Sequence, residues 1–510
     1  MKVAVVGAGL AGSECCWILA NGYGCDVTLF EMKSKSPTPA QSEPHNFAEL
    51  VCSNSLKSTS KLNPAGLLKI EMKALGSLIV PMAETHKVPA GEALAVDREG
   101  FSGGITQKLK NHKNIKVVEI VVDSIAAIFE SDTFDACVIA TGPLTADALA
   151  NDLRKLTGAE SCYFYDAIAP IINGETVDMN IAFKGNRSTR TAAYEKRPGG
   201  VNDPHKLPVA TPVNPAEPQP DSTDSDDTEE LQGDYVNLPL NKEEYFAFVE
   251  ALNAGAKVPF HDFEKPQFFN GCQPIEVLAA SGPRTLSFGP MKPKGFDDPR
   301  TGRMPYALVQ LRKEKLGDES FNMVGFQTRL TWTAQKEIFK TLPGLQNAEF
   351  FRFGSMHRNT YLVSPAILNK DYSLKADPRV YLAGQIMGVE GYLESAAMGL
   401  WIGHVVGRKI SGQKPLTTPP SHCALGTLAH YVTEAEIKKF SPMNVHWGLF
   451  EALTDSDLQD CLQDLSTESV AQVNKWVQSG KKRSLEKSVK RHILSNRATL
   501  AFSHWLECIG

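Results

Sequence analysis

Residues 2 to 6, Lys-Val-Ala-Val-Val, form a β-branched run without polar alternation that breaks directly into Gly7-Ala8-Gly9-Leu10-Ala11-Gly12. A short apolar run of this kind predicts a strand covered on both faces, as in a parallel sheet. The pattern then predicts a helix to about Leu19 and a second strand, Asp26 to Phe30. Further apolar strands are expected at Ile115 to Val122, at Ala136 to Ala140 before Thr141-Gly142, and at Val380 to Ala383 before Gly384-Gln385. The last of these lies far along the chain, so the first domain is expected to be completed only after a middle domain has been inserted. Asn241-Lys242-Glu243-Glu244-Tyr245-Phe246 reads as a helix start, and the final hundred residues are helical in pattern.

The pattern breaks between Asn186 and Gly233, where seven prolines from Pro198 to Pro220 precede six acids from Asp221 to Glu230. Such a stretch buries too little apolar area to offset its ordering entropy, so it reads as a disordered, acidic insertion that would repel RNA. The expected organisation is a dinucleotide-binding domain at 1–155, an inserted domain at 156–314 carrying the 186–233 segment, a return to the first domain at 315–415, and a helical C-terminal region at 416–510.

Chemistry enters at the first strand end. Gly7 permits a tight turn, Gly9 lets backbone approach a pyrophosphate, and Gly12 lets the helix pack close, so that its amides and dipole face phosphates. Glu31, nineteen residues after Gly12, follows the second strand and is placed to accept bonds from a ribose hydroxyl. This segment alone does not separate FAD from NAD. The Ala140-Thr141-Gly142 strand end puts small residues where a chain must pass close to a nucleotide. Gly384-Gln385-Ile386-Met387-Gly388-Val389-Glu390-Gly391-Tyr392 joins a strand to a helix whose amides would face an electron-rich ring.

Cys52, among hydroxyls and near Lys57, is a candidate activated thiol, and Cys272 lies beside the turn-forming Gly271; a buried inert cysteine is the alternative for both. The proline-fixed loop from Ser287 to Tyr306 displays Lys292, Arg300 and Arg303, which suits an anion or an ordinary basic surface. His357 and Arg358 lie together between strands. In the tail, positions 483, 487, 490, 494 and 497 share a helical face carrying Arg483, Lys487, Lys490 and Arg497, which reads as a phosphate-facing or a solvated surface.

Bulk properties narrow the classes. A net charge of −5 over 510 residues means that a nucleic-acid partner would have to meet a local basic patch, not a global field. Ten cysteines with no Cys-x-x-Cys pair argue against a disulfide scaffold, a dithiol reductase and a structural zinc site, and no metal is expected. No apolar run approaches the roughly 18 residues needed to span a bilayer, and the first strand begins at the first residues, so a cytoplasmic protein with no membrane partner is expected.

These segments in this order resemble the folate- and FAD-dependent tRNA (uracil-5-)-methyltransferase family. The resemblance rests above all on Phe47-Ala-Glu-Leu-Val-Cys-Ser-Asn-Ser-Leu-Lys-Ser58 and Gly388-Val-Glu-Gly-Tyr-Leu-Glu-Ser-Ala-Ala397. It extends over Val3–Gly12, Ala95–Phe101, Ile139–Leu144, Gly271–Pro293, Asp298–Tyr306, Val324–Leu330, Gly354–Thr360, Ala383–Gly403 and Pro442–Val445. It is weakest in the 186–233 insertion and after about Leu453.

The resemblance implies an α/β fold: an FAD-binding, two-dinucleotide-type Rossmann domain, glutathione-reductase-like, interrupted by a smaller α/β insertion domain and ending in a helical tail. It implies FAD held by Gly7 to Gly12, Glu31, Thr141, Gly142, Gly384, Gln385, Gly388, Glu390, Gly391 and Tyr392. It also implies NAD(P)H as reductant, 5,10-methylenetetrahydrofolate as carbon donor, the T-arm of tRNA as substrate and no obligatory protein partner. Cys272 matches the family's nucleophile, which adds to uracil C6, and Cys52 matches its second functional thiol. The same chemistry on a ribosomal RNA uridine, and an FAD oxidoreductase acting on a small molecule, remain open alternatives.

Overall fold

The computed structural model describes residues 1–37, 41, 45–158, 162–167, 169–185, 235–258, 273–314, 319–454, 457, 462, 466–478 and 485–509. The acidic insertion, Cys272, Lys481, Lys482 and Arg483 lie outside the described residues.

Strand β1 (Lys2–Val6) is buried from Val3 onward and runs into helix α1 (Leu10–Trp17), which continues as a π-helical turn over Ile18–Gly22. Strand β2 (Asp26–Glu31) pairs parallel with β1, and Ile115–Glu119 pairs parallel with β2. On the other side of β1 lie Ala136–Ile139 and then Val380–Leu382, also parallel. The five-stranded sheet is therefore completed by residues some 240 positions beyond its fourth strand, as the apolar pattern predicts. Burial of both faces in β1 from Val3 onward, in Ala136–Ile139 and in Val380–Leu382 explains why these strands lack alternation, whereas β2 and the edge strand Ile115–Glu119 keep exposed or half-buried positions.

The helix Tyr392–Ile410 lies across α1, and small residues make that approach possible. A Cβ at Gly399 would stand 2.1 Å from the Ala11 carbonyl oxygen. The two helices thus touch backbone to backbone, with Trp401 and Leu400 wholly buried beside the contact.

The second sheet is antiparallel, in the order Phe183–Lys184, Tyr235–Leu240, Ala307–Lys313, Ser320–Met323, Ile171–Asn173, Phe350–Arg352. Its core joins Leu238, Val309, Leu311 and Met323 to Tyr245, Phe248, Phe326 and Phe339 from covering segments. The helix Lys242–Ala254 starts where predicted, with Asn241 and Glu244 exchanging side-chain and backbone bonds at 2.8 Å each. The sequence places Ser320–Met323 and Phe350–Arg352 in the returning part of the first domain, but both pair in this second sheet. A short apolar strand carries no label for the sheet it joins, and pairing with Ala307–Lys313 and Ile171–Asn173 decides it.

The C-terminal region is helical over Ala424–Glu434, Thr467–Gln478 and Lys487–Ile509. The basic face read at 490 to 497 divides: Lys490 is exposed, whereas Leu494 and Arg497 are buried. Arg497 donates to the Glu451 and Ala452 carbonyls at 2.6 and 3.2 Å and pairs with Asp457 at 3.0 Å. Its cation is therefore committed within the C-terminal region, holding the last helix to residues 451–457, and is not presented to a phosphate. Among the described residues, no helix is long and apolar enough to cross a membrane.

Candidate functional site at the carboxyl ends of the parallel sheet

A cleft with about 1040 Å³ of empty space, part of it open to solvent, lies at the carboxyl end of the five-stranded sheet. Its lining follows the strand ends: Gly7, Gly9, Leu10 and Ala11 after β1, Glu31 and Met32 at the end of β2, Ile120 and Val122, then Thr141, Gly142 and Pro143, and Gln385 after the last strand. Loops at these ends diverge from a common edge, which is why open α/β sheets bind ligands there.

Each glycine after β1 does a different job. Gly7 has φ +99°, and a Cβ there would stand 2.7 Å from the Ala140 carbonyl oxygen, so the turn excludes any side chain. A Cβ at Gly12 would reach 1.8 Å from the Gly7 carbonyl oxygen. Gly9 is in extended backbone at the start of α1, and a Cβ there would meet nothing within 4 Å. Space above Gly9 beside the first amides of a helix is what a pyrophosphate needs, so these residues fit a dinucleotide.

Glu31 lines the cleft, with its carboxylate accepting the Ala8 N–H at 2.6 Å and the Lys33 N–H at 2.7 Å. Each carboxylate oxygen keeps a further acceptor position, so a ribose hydroxyl can still bond there. Thr141 bonds Thr145 through their hydroxyls at 2.7 Å, which fixes the turn that Gly142 enters at φ +65°.

The second glycine-rich joint is arranged around packing. Gly384, at φ +76°, stands against Ala11, and Gly388 stands under the Phe440 ring. Gln385 lines the cleft and donates to Glu390 at 2.7 Å, and the Glu390 N–H bonds the Met443 carbonyl at 2.8 Å. Pro442–Val445 is thereby docked on the joint, with the Val445 N–H on Glu394 at 3.0 Å. Gly391 lies beside Glu394 and Lys57, whose ammonium meets the fully buried Glu394 carboxylate at 2.5 Å. The charge the sequence offers for activating Cys52 is therefore neutralised by Glu394.

Tyr392 lines the cleft, and its hydroxyl accepts the Cys52 N–H at 2.5 Å and the Ser53 N–H at 3.3 Å. Burial pushes its phenol well above the ordinary value. Cys52 is half-buried, whereas Cys15, Cys16, Cys25, Cys137 and Cys423 are buried, and burial raises the thiols of all five.

Residues that the sequence does not flag hold the Cys52 loop. Arg98 donates to the Leu50 carbonyl at 2.8 Å and pairs with Glu314 at 2.6 Å, and Arg352 donates to the Val51 carbonyl at 3.4 Å. Asn54 accepts from Arg312 at 2.9 Å and donates to the Lys313 carbonyl at 2.9 Å. The loop thus sits on a seam against the second sheet, at its strands Ala307–Lys313 and Phe350–Arg352. Arg352 within Phe350-Phe351-Arg352-Phe353, a cation inside an aromatic strand, is the one signal that could have marked this seam. Of the loop cations, Arg300 is committed to Asp298 at 2.8 Å. His357 and Arg358 lie on a strand paired with Cys162–Ala167.

A glycine-lined cleft at the ends of a parallel sheet, with a second sheet inserted before its last strand, defines a dinucleotide-binding protein of the Rossmann type. The profile of the family described as "Glucose inhibited division protein A" matches residues 2–210 and 219–414. A protein of Heliobacterium modesticaldum named methylenetetrahydrofolate--tRNA-(uracil-5-)-methyltransferase TrmFO is 46% identical over 455 residues, 89% of this chain and 92% of that protein. Proteins of the same name from Deinococcus radiodurans and Pelobacter propionicus are 43% and 42% identical over 503 and 509 residues, 99% and 100% of this chain and 93% and 95% of theirs. The chain belongs to the glucose inhibited division protein A family, within its folate- and FAD-dependent TrmFO branch. These long alignments also span the C-terminal region, where the family profile stops. Among solved structures, Aquifex aeolicus GidA in two crystal forms superposes with TM-scores of 0.61 and 0.59 at 14% and 12% identity. The matches cover 99% of this chain and 89% and 88% of those chains, a likeness of fold.

Proposed function

We propose that the protein methylates C5 of the T-loop uridine, position 54, of tRNA, with 5,10-methylenetetrahydrofolate as carbon donor and NAD(P)H as reductant, and without an obligatory protein partner. FAD, when bound, supplies the methylene carrier and the electrons that complete the methyl group. Gly7, Gly9 and the first amides of α1 would hold its pyrophosphate and Glu31 its ribose, with Gln385 and Tyr392 lining the same cleft.

Uracil C5 is a poor nucleophile until a thiolate adds at C6 and leaves an enolate. Cys272 takes that role, and loss of the C5 proton and expulsion of the thiolate later restore the ring. A stacked T-loop base must be turned out to reach a buried cofactor. Cys52, on the loop held by Tyr392, would guard the one-carbon unit before the base arrives. The observation that carries this reading is the bond between the Tyr392 hydroxyl and the Cys52 amide, which places a half-buried thiol's loop against the wall of a dinucleotide cleft. The names of the full-length relatives point the same way.

The test is incubation of an unmodified tRNA transcript with the flavin-loaded protein, methylenetetrahydrofolate and NAD(P)H, followed by nucleoside mass spectrometry. 5-Methyluridine at position 54 is expected. Cys272→Ala should keep the yellow cofactor and tRNA binding and lose methyl transfer, and unchanged turnover would remove Cys272 from the reaction. Methylation of a ribosomal RNA uridine instead would move the substrate and keep the chemistry.

A further inference from the structure

We infer that Tyr392 is a positioning residue for the Cys52 thiol, a role that rests on the function proposed above. Tyr392 opens the helix Tyr392–Ile410 and forms part of the cleft wall, so its ring is fixed by the helix that follows the last strand of the parallel sheet. Its phenol oxygen accepts two consecutive backbone N–H groups, those of Cys52 and Ser53. Two donors fill the acceptor positions of a phenol oxygen, which leaves the group only its own proton to give.

The rest of the loop is held from the opposite side. Arg98 and Arg352 grip the carbonyls of Leu50 and Val51, and Arg312 grips Asn54. The loop is also bracketed by two non-glycine residues in the left-handed region, Ala48 at φ +50° and Lys57 at φ +65°. Such conformations persist only where surrounding contacts over-determine them. The seam therefore fixes the loop's outer side, and Tyr392 fixes the amide of the cysteine itself against the cleft. Burial raises the phenol, so it stays protonated and neutral at this position over the working pH range. Removing the hydroxyl would leave the Cys52 and Ser53 amides without that acceptor while the ring still forms the wall.

The experiment uses the flavin-loaded protein and two replacements of Tyr392. Tyr392→Phe deletes the acceptor, and 3,5-difluorotyrosine at the same position keeps the shape but weakens it. Alkylation of Cys52 by iodoacetamide is followed by peptide mass spectrometry across about pH 6 to 9, alongside single-turnover methyl transfer. The alkylation rate is expected to rise in the order Tyr, difluorotyrosine, Phe, by about fivefold at the end of the series, the size of one neutral hydrogen bond, the one to the Cys52 amide itself. Methyl transfer should fall in the same order, with KM for methylenetetrahydrofolate within about twofold, because only an interaction that orients the reacting groups is removed. Equal Cys52 alkylation in all three proteins would overturn the assignment, as would a loss of methyl transfer with alkylation unchanged. Should Tyr392→Phe fail to fold, the difluorotyrosine protein decides the matter alone. A wild-type protein without methyl transfer would sink the proposed function, while the alkylation series would still report on Tyr392.

Discussion

At the residue scale, the three glycines after β1 separate two demands that one motif hides. Gly12 answers to packing, since its Cβ would strike the Gly7 carbonyl, whereas Gly9 answers to a ligand, since its Cβ would strike nothing in the protein. Gly9→Leu should therefore fold with a melting temperature within a few degrees of wild type and purify colourless. Gly12→Ala should lose stability by roughly 1–3 kcal/mol through overpacking and lose flavin as a consequence, as read by urea denaturation and absorbance. A stable, colourless Gly12→Ala or a yellow Gly9→Leu would reverse these roles. The motif was legible in sequence as a unit, but which glycine serves which demand depends on what each faces.

At the element scale, buried carboxylates cap helices. Glu71 accepts the Ala424 and Leu425 N–H groups at the start of the helix Ala424–Glu434, at 2.8 and 2.6 Å. Burial pushes its carboxyl up to about 8, against those two donors. Between the ordinary 4.5 and about 8 the folded state keeps a proton that the unfolded chain has released, so Glu71's contribution to stability is fullest below this window and declines as pH rises through it. Relative to Glu71→Gln, the wild type should lose about 1.4 kcal/mol per pH unit inside the window at most. Chemical denaturation of both proteins at several pH values measures the difference, and parallel profiles would show that Glu71 ionises freely. Nothing in Lys69-Ile70-Glu71-Met72 announces a cap, because the helix it serves begins 353 residues later. The capping box at Asn241 was legible because both partners lie within one turn.

At the scale of the whole molecule, the helix Arg98–Lys110 meets the second sheet at the end of its strand Ala307–Lys313 through the buried pair Arg98 and Glu314, with side-chain exposures of 16% and 4%. Arg98→Met should destabilise the protein by roughly 3–5 kcal/mol, because it leaves a carboxylate buried without its partner. Adding Glu314→Leu should recover most of that loss, and a double-mutant cycle by urea denaturation checks the coupling. Even in the stabilised double variant, Cys52 should react with iodoacetamide faster than in wild type, since the Leu50 carbonyl has lost its donor. An unchanged rate would show that the seam does not hold the loop.

The parallel sheet, its glycine turns, the acid after β2, the distant return at Val380 and the helix at Lys242 were determined by the sequence alone. Each rests on local chemistry: β-branched runs covered on both faces, a turn that tolerates no Cβ, a cap within one turn. Tertiary structure decided the assignment of Ser320–Met323 and Phe350–Arg352 to the second sheet, the neutralisation of Lys57 by Glu394, the inward turn of Arg497 and the grip of Tyr392 on Cys52. Those outcomes depend on which side chain meets which backbone group across tens to hundreds of residues, and no period or propensity along the chain carries that distance.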